Sequence, residues 1–270
     1  MLTFIQAVIL GLVQGITEWV PVSSKTQVSL VYLKLFNGDP SLLIPILLYV
    51  HVGTVLAALI YFRREVTELV LNFLRKPADF RSQAEGKTGF LFTALLFTGI
   101  VGVPLLILEK KFFPDLTGGL LFALMGAGLL LTGFLLLKQS GKKERGREEA
   151  GWKDGILTGA LQGLSVLPGV SRSGTSTTGL IWRGFDSESS FHLSFLLSIP
   201  TVVVAELIFY VGGELASFPV SDGLMLAGSS FVFGYLTIDA LLKIVRRMNI
   251  AYVALALGLI IMAAGLLSAG

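Results

Sequence analysis

Six uninterrupted apolar runs, at about residues 42–62, 89–108, 118–138, 190–212, 222–243 and 250–268, dictate most of what this chain can become. Each reaches the roughly 20 helical residues needed to cross about 30 Å of hydrocarbon. In lipid, a segment must satisfy its own backbone hydrogen bonds, so runs of this length are read as membrane-spanning helices. The 270 residues are 53% hydrophobic and only 14% charged, with a mean hydropathy of +0.79, whereas soluble domains carry about 25% charged residues. Disorder, a collagen-like fibre and a soluble enzyme are excluded. Cysteine is absent, which removes disulfides, thiolate metal sites and cysteine nucleophiles. The start MLTFIQAVIL lacks a basic region and a small-residue cleavage site, so it is expected to be mature structure.

Two further apolar stretches are too broken to span. Residues 3–36 are interrupted at Pro21 and the polar SSKTQ, and residues 153–184 at Pro168, Gly169 and the polar SRSGTST. Positive residues gather on the cytoplasmic side of membrane proteins. Here Arg63, Arg64, Arg75, Lys76, Arg81 and Lys87 fill one loop; Lys138, Lys142, Lys143, Arg145, Arg147 and Lys153 a second; Lys243, Arg246 and Arg247 a third. Placing all three in the cytoplasm makes stretch 3–36 begin and end outside, and 153–184 begin and end inside. Each is then a re-entrant helical hairpin. A tilted, proline-kinked ordinary span at 3–36 would break the loop-charge parity. Gathering of charge in short loops also argues against nucleic-acid binding.

At an offset of 148 residues, GLVQGITEWVPVSSKTQ (from Gly11) aligns without gaps to GALQGLSVLPGVSRSGT (from Gly159), and LLYVHVGTVLAALIYF (from Leu47) to FLLSIPTVVVAELIFY (from Phe195). Three spans beside one hairpin in each half is an odd count, so the second half is inverted. The expected fold is an all-α integral membrane protein of six spanning helices and two re-entrant hairpins. Its parts are a first repeat at 1–138, a cytoplasmic loop at 139–152, whose run KKERGREE at 142–149 reads as solvated or as a sensor of anionic lipid headgroups, and a second, inverted repeat at 153–270. In such architectures the site lies where the broken helices meet near the midplane. That nominates Glu18 to Gln27 opposite Pro168 to Thr178.

The second loop places Arg172 among Ser171, Ser173, Thr175, Ser176, Thr177 and Thr178, just before a helix expected to start at about 175. Exposed N–H groups at a helix N-terminus bind anions, and a guanidinium is a permanently charged planar fork suited to phosphate oxygens. The segment is a phosphate or pyrophosphate cradle by chemistry, without the GxxxxGK[ST] of a Walker loop. The first loop supplies Glu18, Ser23, Ser24, Lys25 and Gln27. An intramembrane carboxylate marks function by default, and Arg172 is its expected partner. Glu18 is a candidate acid, base or metal ligand, or one half of a structural ion pair locking the hairpins. Lys25 either touches phosphate or snorkels to headgroups.

QGITEWVPVSSKTQ and PGVSRSGTS resemble the two signature segments of the undecaprenyl pyrophosphate phosphatase family, the bacitracin-resistance type of membrane phosphatase. FRRE and SFLLSIP extend the resemblance over nearly the whole chain. It implies hydrolysis of a polyprenyl diphosphate to the monophosphate, recycling the lipid carrier of cell-surface glycan synthesis. It also implies a multi-pass protein of the cell membrane with its site opening to the outer face, and a divalent cation, Mg²⁺ or Ca²⁺. The matching functional positions are Glu18, Ser24, Ser171, Arg172, Ser173 and Ser176. A second copy of the chain is the candidate protein partner.

The family segment usually runs EGxTEFxPVSSTGH, with an acid where this chain has Gln14 and a histidine where it has Gln27. Gln is neither a proton carrier nor an anionic ligand at neutral pH, so cation dependence is expected to be weaker. His51, mid-span in LLYVHVGTV, stands where a Gln is expected in relatives with the histidine loop. Imidazole suits proton transfer near neutral pH, so His51 is a candidate base, acid or nucleophile, or a neutral histidine bonded to a backbone carbonyl. The nucleophile is Ser24, His51 or water. The rival function is a polyprenyl-phosphate transporter or flippase, or a catalytically altered relative. Pure carriage of an anion gains little from the negative charge of Glu18.

Overall fold

The computed structural model describes residues 2–75, 85–112, 117–138, 144–213, 218–245 and 250–269. Its α-helices are α1 (Phe4–Thr17), α2 (Ser24–Leu30), α3 (Leu43–Tyr61), α4 (Arg63–Arg75), α5 (Lys87–Phe112), α6 (Gly118–Leu137), α7 (Trp152–Gly163), α8 (Arg172–Trp182), α9 (Ser187–Val211), α10 (Val220–Val245) and α11 (Ile250–Ala269), with no strand among the described residues. Six of them are long and apolar enough to cross a membrane: Pro40–Tyr61, Lys87–Glu109, Gly118–Leu137, Ser187–Val211, Val220–Ile244 and Ile250–Ser268. These are the six apolar runs, and the largest boundary difference is at Ser187, where Asp186 caps the helix by accepting from Ser189 N at 2.8 Å. Lys76, Arg81, Lys142, Lys143, Arg246 and Arg247, on which part of the loop-charge argument rests, lie outside the described residues.

The two broken stretches are each a helix, a turn and a second helix: α1 and α2 around residues 18–23, and α7 and α8 around residues 164–171, where Leu164–Val166 form one 3-10 turn. Thr3 starts α1 with a capping box, its hydroxyl accepting from Gln6 N at 3.2 Å while Gln6 Oε1 accepts from Thr3 N at 3.0 Å. Small residues then let α1 lie against α10. A Cβ on Gly15 would stand 2.6 Å from Gly234 N, and Thr237 Oγ1 donates to Gly15 O at 2.8 Å. The second stretch repeats this on the other half of the chain. A Cβ on Gly159 would stand 2.8 Å from Ala94 Cα, and Thr98 Oγ1 donates to Gly159 O at 3.3 Å. Close backbone approach and interhelical hydroxyl bonds are what hold helices together where lipid is as apolar as leucine. Each broken stretch therefore packs on a long helix of the opposite half, α1 on α10 and α7 on α5, while α6 and α11 pair along their length.

Backbone groups of the turns find side-chain partners inside the protein. Val22 O accepts from Gln27 Nε2 at 3.1 Å and Val20 O from Ser173 Oγ at 3.3 Å. Ser171 N donates to Thr132 Oγ1 of α6 at 3.0 Å.

In the loop before α7, Glu144, Glu148 and Glu149 are exposed, whereas Arg145 is engaged by the fold. Arg145 donates to both oxygens of Asp154 at 2.9 Å and lies over the Phe185 ring, 4.1 Å from its centroid. Arg183 Nε donates to Asp154 Oδ1 at 2.7 Å. The start of α7 and the end of α8 are thus pinned by one buried carboxylate. Burial opposes ionisation of Asp154, but the bonds from Arg145 and Arg183 outweigh it and hold its carboxyl below the usual range.

Candidate active site

The site is built where the two turns meet. Glu18 follows the last turn of α1, and the chain then turns through Pro21 and Ser23, whose backbone is left-handed (φ 58°). This places Ser24 as the first residue of α2. On the other side Ser171 caps α8, its Oγ accepting from Gly174 N at 3.2 Å, and Arg172 is the first helical residue. The helix expected at about 175 starts three residues earlier, because Ser171 provides the cap.

Glu18 is the hub. Arg172 Nη2 donates to its Oε1, while Ser24 Oγ at 2.6 Å and Gln14 Nε2 at 3.0 Å donate to Oε2. His51 Nε2 of α3 stands 3.6 Å from the same Oε2. Glu18, Ser24 and His51 are 6%, 7% and 8% exposed, so these charges interact in a medium of low dielectric. The bond between Arg172 and Glu18 joins the two halves of the chain, and Arg172 Nη1 also donates to Ser194 O of α9 at 3.4 Å.

His51 is bonded to a backbone carbonyl through one ring nitrogen and faces Glu18 with the other. Its Nδ1 is bonded to Leu47 O; a carbonyl only accepts, so Nδ1 carries the proton and Nε2 is left facing Glu18. A backbone bond that fixes the tautomer in this way aims the other nitrogen at its task.

The hydroxyls of the cradle are gathered but engaged. Ser171 and Ser173 Oγ atoms are 3.2 Å apart, and Ser176 Oγ is 2.7 Å from Ser194 Oγ. Thr175 Oγ1 donates back to Ser171 O at 3.0 Å, within its own helix. Ser23 Oγ accepts from Thr26 Oγ1 at 3.0 Å. Gln27 serves the backbone of the first turn, not Glu18. Lys25 is exposed, with Glu18, Glu109 and Glu206 within electrostatic reach. Trp19 is enclosed: it is 1% exposed, its Nε1 donates to Gly234 O at 3.2 Å, and its ring packs 5.2 Å from that of Phe195. Sequence reasoning missed Thr54, Thr132 and Ser194. Thr54 accepts from Gln14 Nε2 at 3.4 Å; its signal was its place three residues after His51, on one face of α3.

Multiple spans around a buried acid, hydroxyl, imidazole and guanidinium define a polytopic membrane protein with a polar site enclosed in its helices. The family model described as bacitracin resistance protein BacA matches residues 7–263, and the chain belongs to that family. It is 36% identical over 264 residues to an undecaprenyl-diphosphatase of Methanococcoides burtonii, covering 96% of this chain and 97% of that one. It is also 36% identical over 241 residues to one of Haloarcula marismortui, covering 89% of each, and 35% identical over 259 residues to one of Methanothrix thermoacetophila, covering 96% of each.

Proposed function

We propose that this protein hydrolyses undecaprenyl diphosphate, or a close polyprenyl relative, to the monophosphate and inorganic phosphate, at the site built on Glu18. The observation that carries the reading is the convergence on one carboxylate of a hydroxyl from the first turn and a guanidinium from the second. The two broken stretches are read as re-entrant hairpins of inverted repeats, a reading supported by their reciprocal packing on α10 and α5. The site opens to the outer face of the cell membrane.

Phosphoryl transfer requires chiefly positioning and charge stabilisation. Arg172, the N-terminus of α8 and the hydroxyls of Ser171, Ser173 and Ser176 receive the terminal phosphoryl group, and the prenyl chain stays in lipid. Ser24 Oγ attacks the terminal phosphorus as the bond to the bridging oxygen breaks, and polyprenyl monophosphate leaves. The Ser24 proton passes to Glu18 Oε2, with His51 Nε2 beside it to share the charge. Water then attacks the phosphoserine and gives a proton to His51 Nε2, while the proton held on Glu18 returns to Ser24 Oγ as the bond from phosphorus to that oxygen breaks. Phosphate is released, Ser24 is restored, and His51 then gives its proton to solvent. His51 thus takes the part that the histidine loop would play in relatives.

A divalent cation fits this donor set modestly. Among the described residues no three His, Asp or Glu side chains lie together, yet Gln14 Oε1 is buried without a hydrogen-bond partner. Glu18 and that amide oxygen would hold Mg²⁺, which usually takes one or two protein carboxylates and completes its shell with substrate phosphates and water. The cation would supply neutralisation of phosphate charge.

Trapping the protein with labelled substrate tests the route. A phosphoprotein lost on Ser24→Ala is expected; undiminished phosphate release by Ser24→Ala would overturn the covalent step.

A further inference from the structure

A second polar compartment lies beyond the Glu18 site. It is a cavity of about 600 Å³ where α3 meets α4, beside α9 and α10, lined among others by Arg63, Arg64, Glu65, Arg147 and His192. Phe62, 11 residues beyond His51 on the same helical path, also lines it; at 1.5 Å per residue the two levels are about 16 Å apart. Trp19, Phe191 and Phe195 are buried in one apolar cluster with Phe62. The ring of Phe62 meets His192 edge-on with centroids 5.0 Å apart. The lining of the cavity shares no residue with the Glu18 site, and the two come nearest along α9, where Ser194 O accepts from Arg172 two residues after His192.

The acids of this cavity are engaged, and two of its arginines have no carboxylate partner among the described residues. Lys87 Nζ and His192 Nε2 each stand 2.7 Å from one oxygen of Glu65. Arg147 Nη1 donates to His192 Nδ1 at 3.1 Å, which makes that nitrogen the acceptor and leaves the imidazole proton on Nε2, toward Glu65. His192 links Glu65 to Arg147 and holds the Arg147 fork at the cavity wall. Asp239 Oδ2 takes Lys243 at 2.7 Å and its Oδ1 the Tyr61 hydroxyl at 3.1 Å. Glu188 is the remaining acid of the lining. Arg63 donates to Ile60 O at 3.0 Å, and neither Arg63 nor Arg64 has a carboxylate partner among the described residues.

We infer that this cavity is a second binding site for a phosphate group, held by the guanidinium forks of Arg63, Arg64 and Arg147. Guanidinium matches phosphate oxygens in pairs, and the aromatic wall suits a ligand whose phosphate joins an apolar chain. The phosphate is either free orthophosphate or the headgroup of an anionic lipid. No bond is made or broken here.

The test uses the full-length protein in detergent and in nanodiscs, carrying Arg172→Gln so that the Glu18 site does not contribute. Equilibrium binding of orthophosphate is measured in detergent, and retention of anionic phospholipid is measured by native mass spectrometry. Each is repeated with Arg63 and Arg64 both changed to Lys, which keeps the loop charge and topology but loses the fork. Orthophosphate binding weakened about tenfold or more by the Lys pair supports the site with free phosphate as its ligand; a change of that size is what loss of one charged hydrogen-bond pair gives. A single retained phospholipid that is lost in the Lys pair supports the site with a lipid headgroup. No bound phosphate of either kind, or binding that the Lys pair leaves unchanged while thermal stability is preserved, overturns the proposal.

Discussion

Ser24 and Arg172, exactly one repeat apart in the 148-residue alignment, each open the helix that follows a turn, and both donate to the carboxylate of Glu18. Equivalent positions in the two halves thus carry different chemistry, a hydroxyl in one and a cation in the other.

Removing the cation exposes that dependence. Arg172→Gln leaves Glu18 buried with no counter-charge, a change that costs about 3–5 kcal/mol when a buried pair is broken. The expected result is a lower melting temperature in detergent together with phosphate release reduced at least ~1000-fold. A variant that keeps its melting temperature would show that the pair does not lock the halves.

His51 is expected to act in the chemical step. His51→Ala lowers kcat about 100-fold, as loss of a general acid or base does, while KM stays within about threefold. Exchanging the side chains, His51→Gln with Gln27→His, returns the imidazole to α2 on the face that Ser24 shares three residues earlier. That double variant is expected to recover at least about a tenth of wild-type turnover. Activity no better than that of His51→Gln alone would deny the exchange.

The close-packed glycines give a stability contrast. Gly15→Ala forces a methyl to within 2.6 Å of Gly234 N, whereas a methyl at Gly99 meets nothing within 4 Å. Overpacking costs about 1–3 kcal/mol, and Ala in an open helical position gains about 0.5–1 kcal/mol over Gly. Thermal unfolding in detergent is expected to fall for Gly15→Ala and to hold or rise for Gly99→Ala.

Glu65 ties folding to pH at the Arg63 end of the bundle. Burial opposes its ionisation, but hydrogen bonds from His192 and Lys87 outweigh this and hold its pKa down to about 2, from an ordinary 4.5. A depressed carboxylate contributes stability that is full above its unfolded pKa and is lost as pH falls through the folded value. The contribution should fade between about pH 4.5 and 2. Allowing for partial exposure, it is on the order of 1–2 kcal/mol. Glu65→Gln removes it, so the wild type and the variant converge in stability toward pH 2 and diverge toward neutrality.

The six spans were legible because an apolar run of span length has one outcome in lipid. Glu18 and Arg172 were legible for a related reason: charges at breaks in apolar stretches are too costly to be idle. The role of Arg145 was not, since a loop rich in Lys, Arg and Glu reads as solvated, and only the fold brings Asp154 and Phe185 beneath it. Nor was the start of α8, because in SRSGTST several hydroxyls are equally good caps, and the contact of Ser171 N with Thr132 selects among them. Gln27 was recognised as a departure from the family pattern, but its bond to Val22 O depends on the shape of the turn.

The central claim, hydrolysis centred on Glu18, is tested most directly by measuring phosphate released from undecaprenyl diphosphate by the purified protein and by Glu18→Gln. The account predicts steady release by the wild type and at least a ~1000-fold loss in the variant, with the polyprenyl monophosphate as the lipid product. Release by Glu18→Gln at the wild-type rate, or none by a folded wild type with Mg²⁺ or Ca²⁺ supplied, would contradict it.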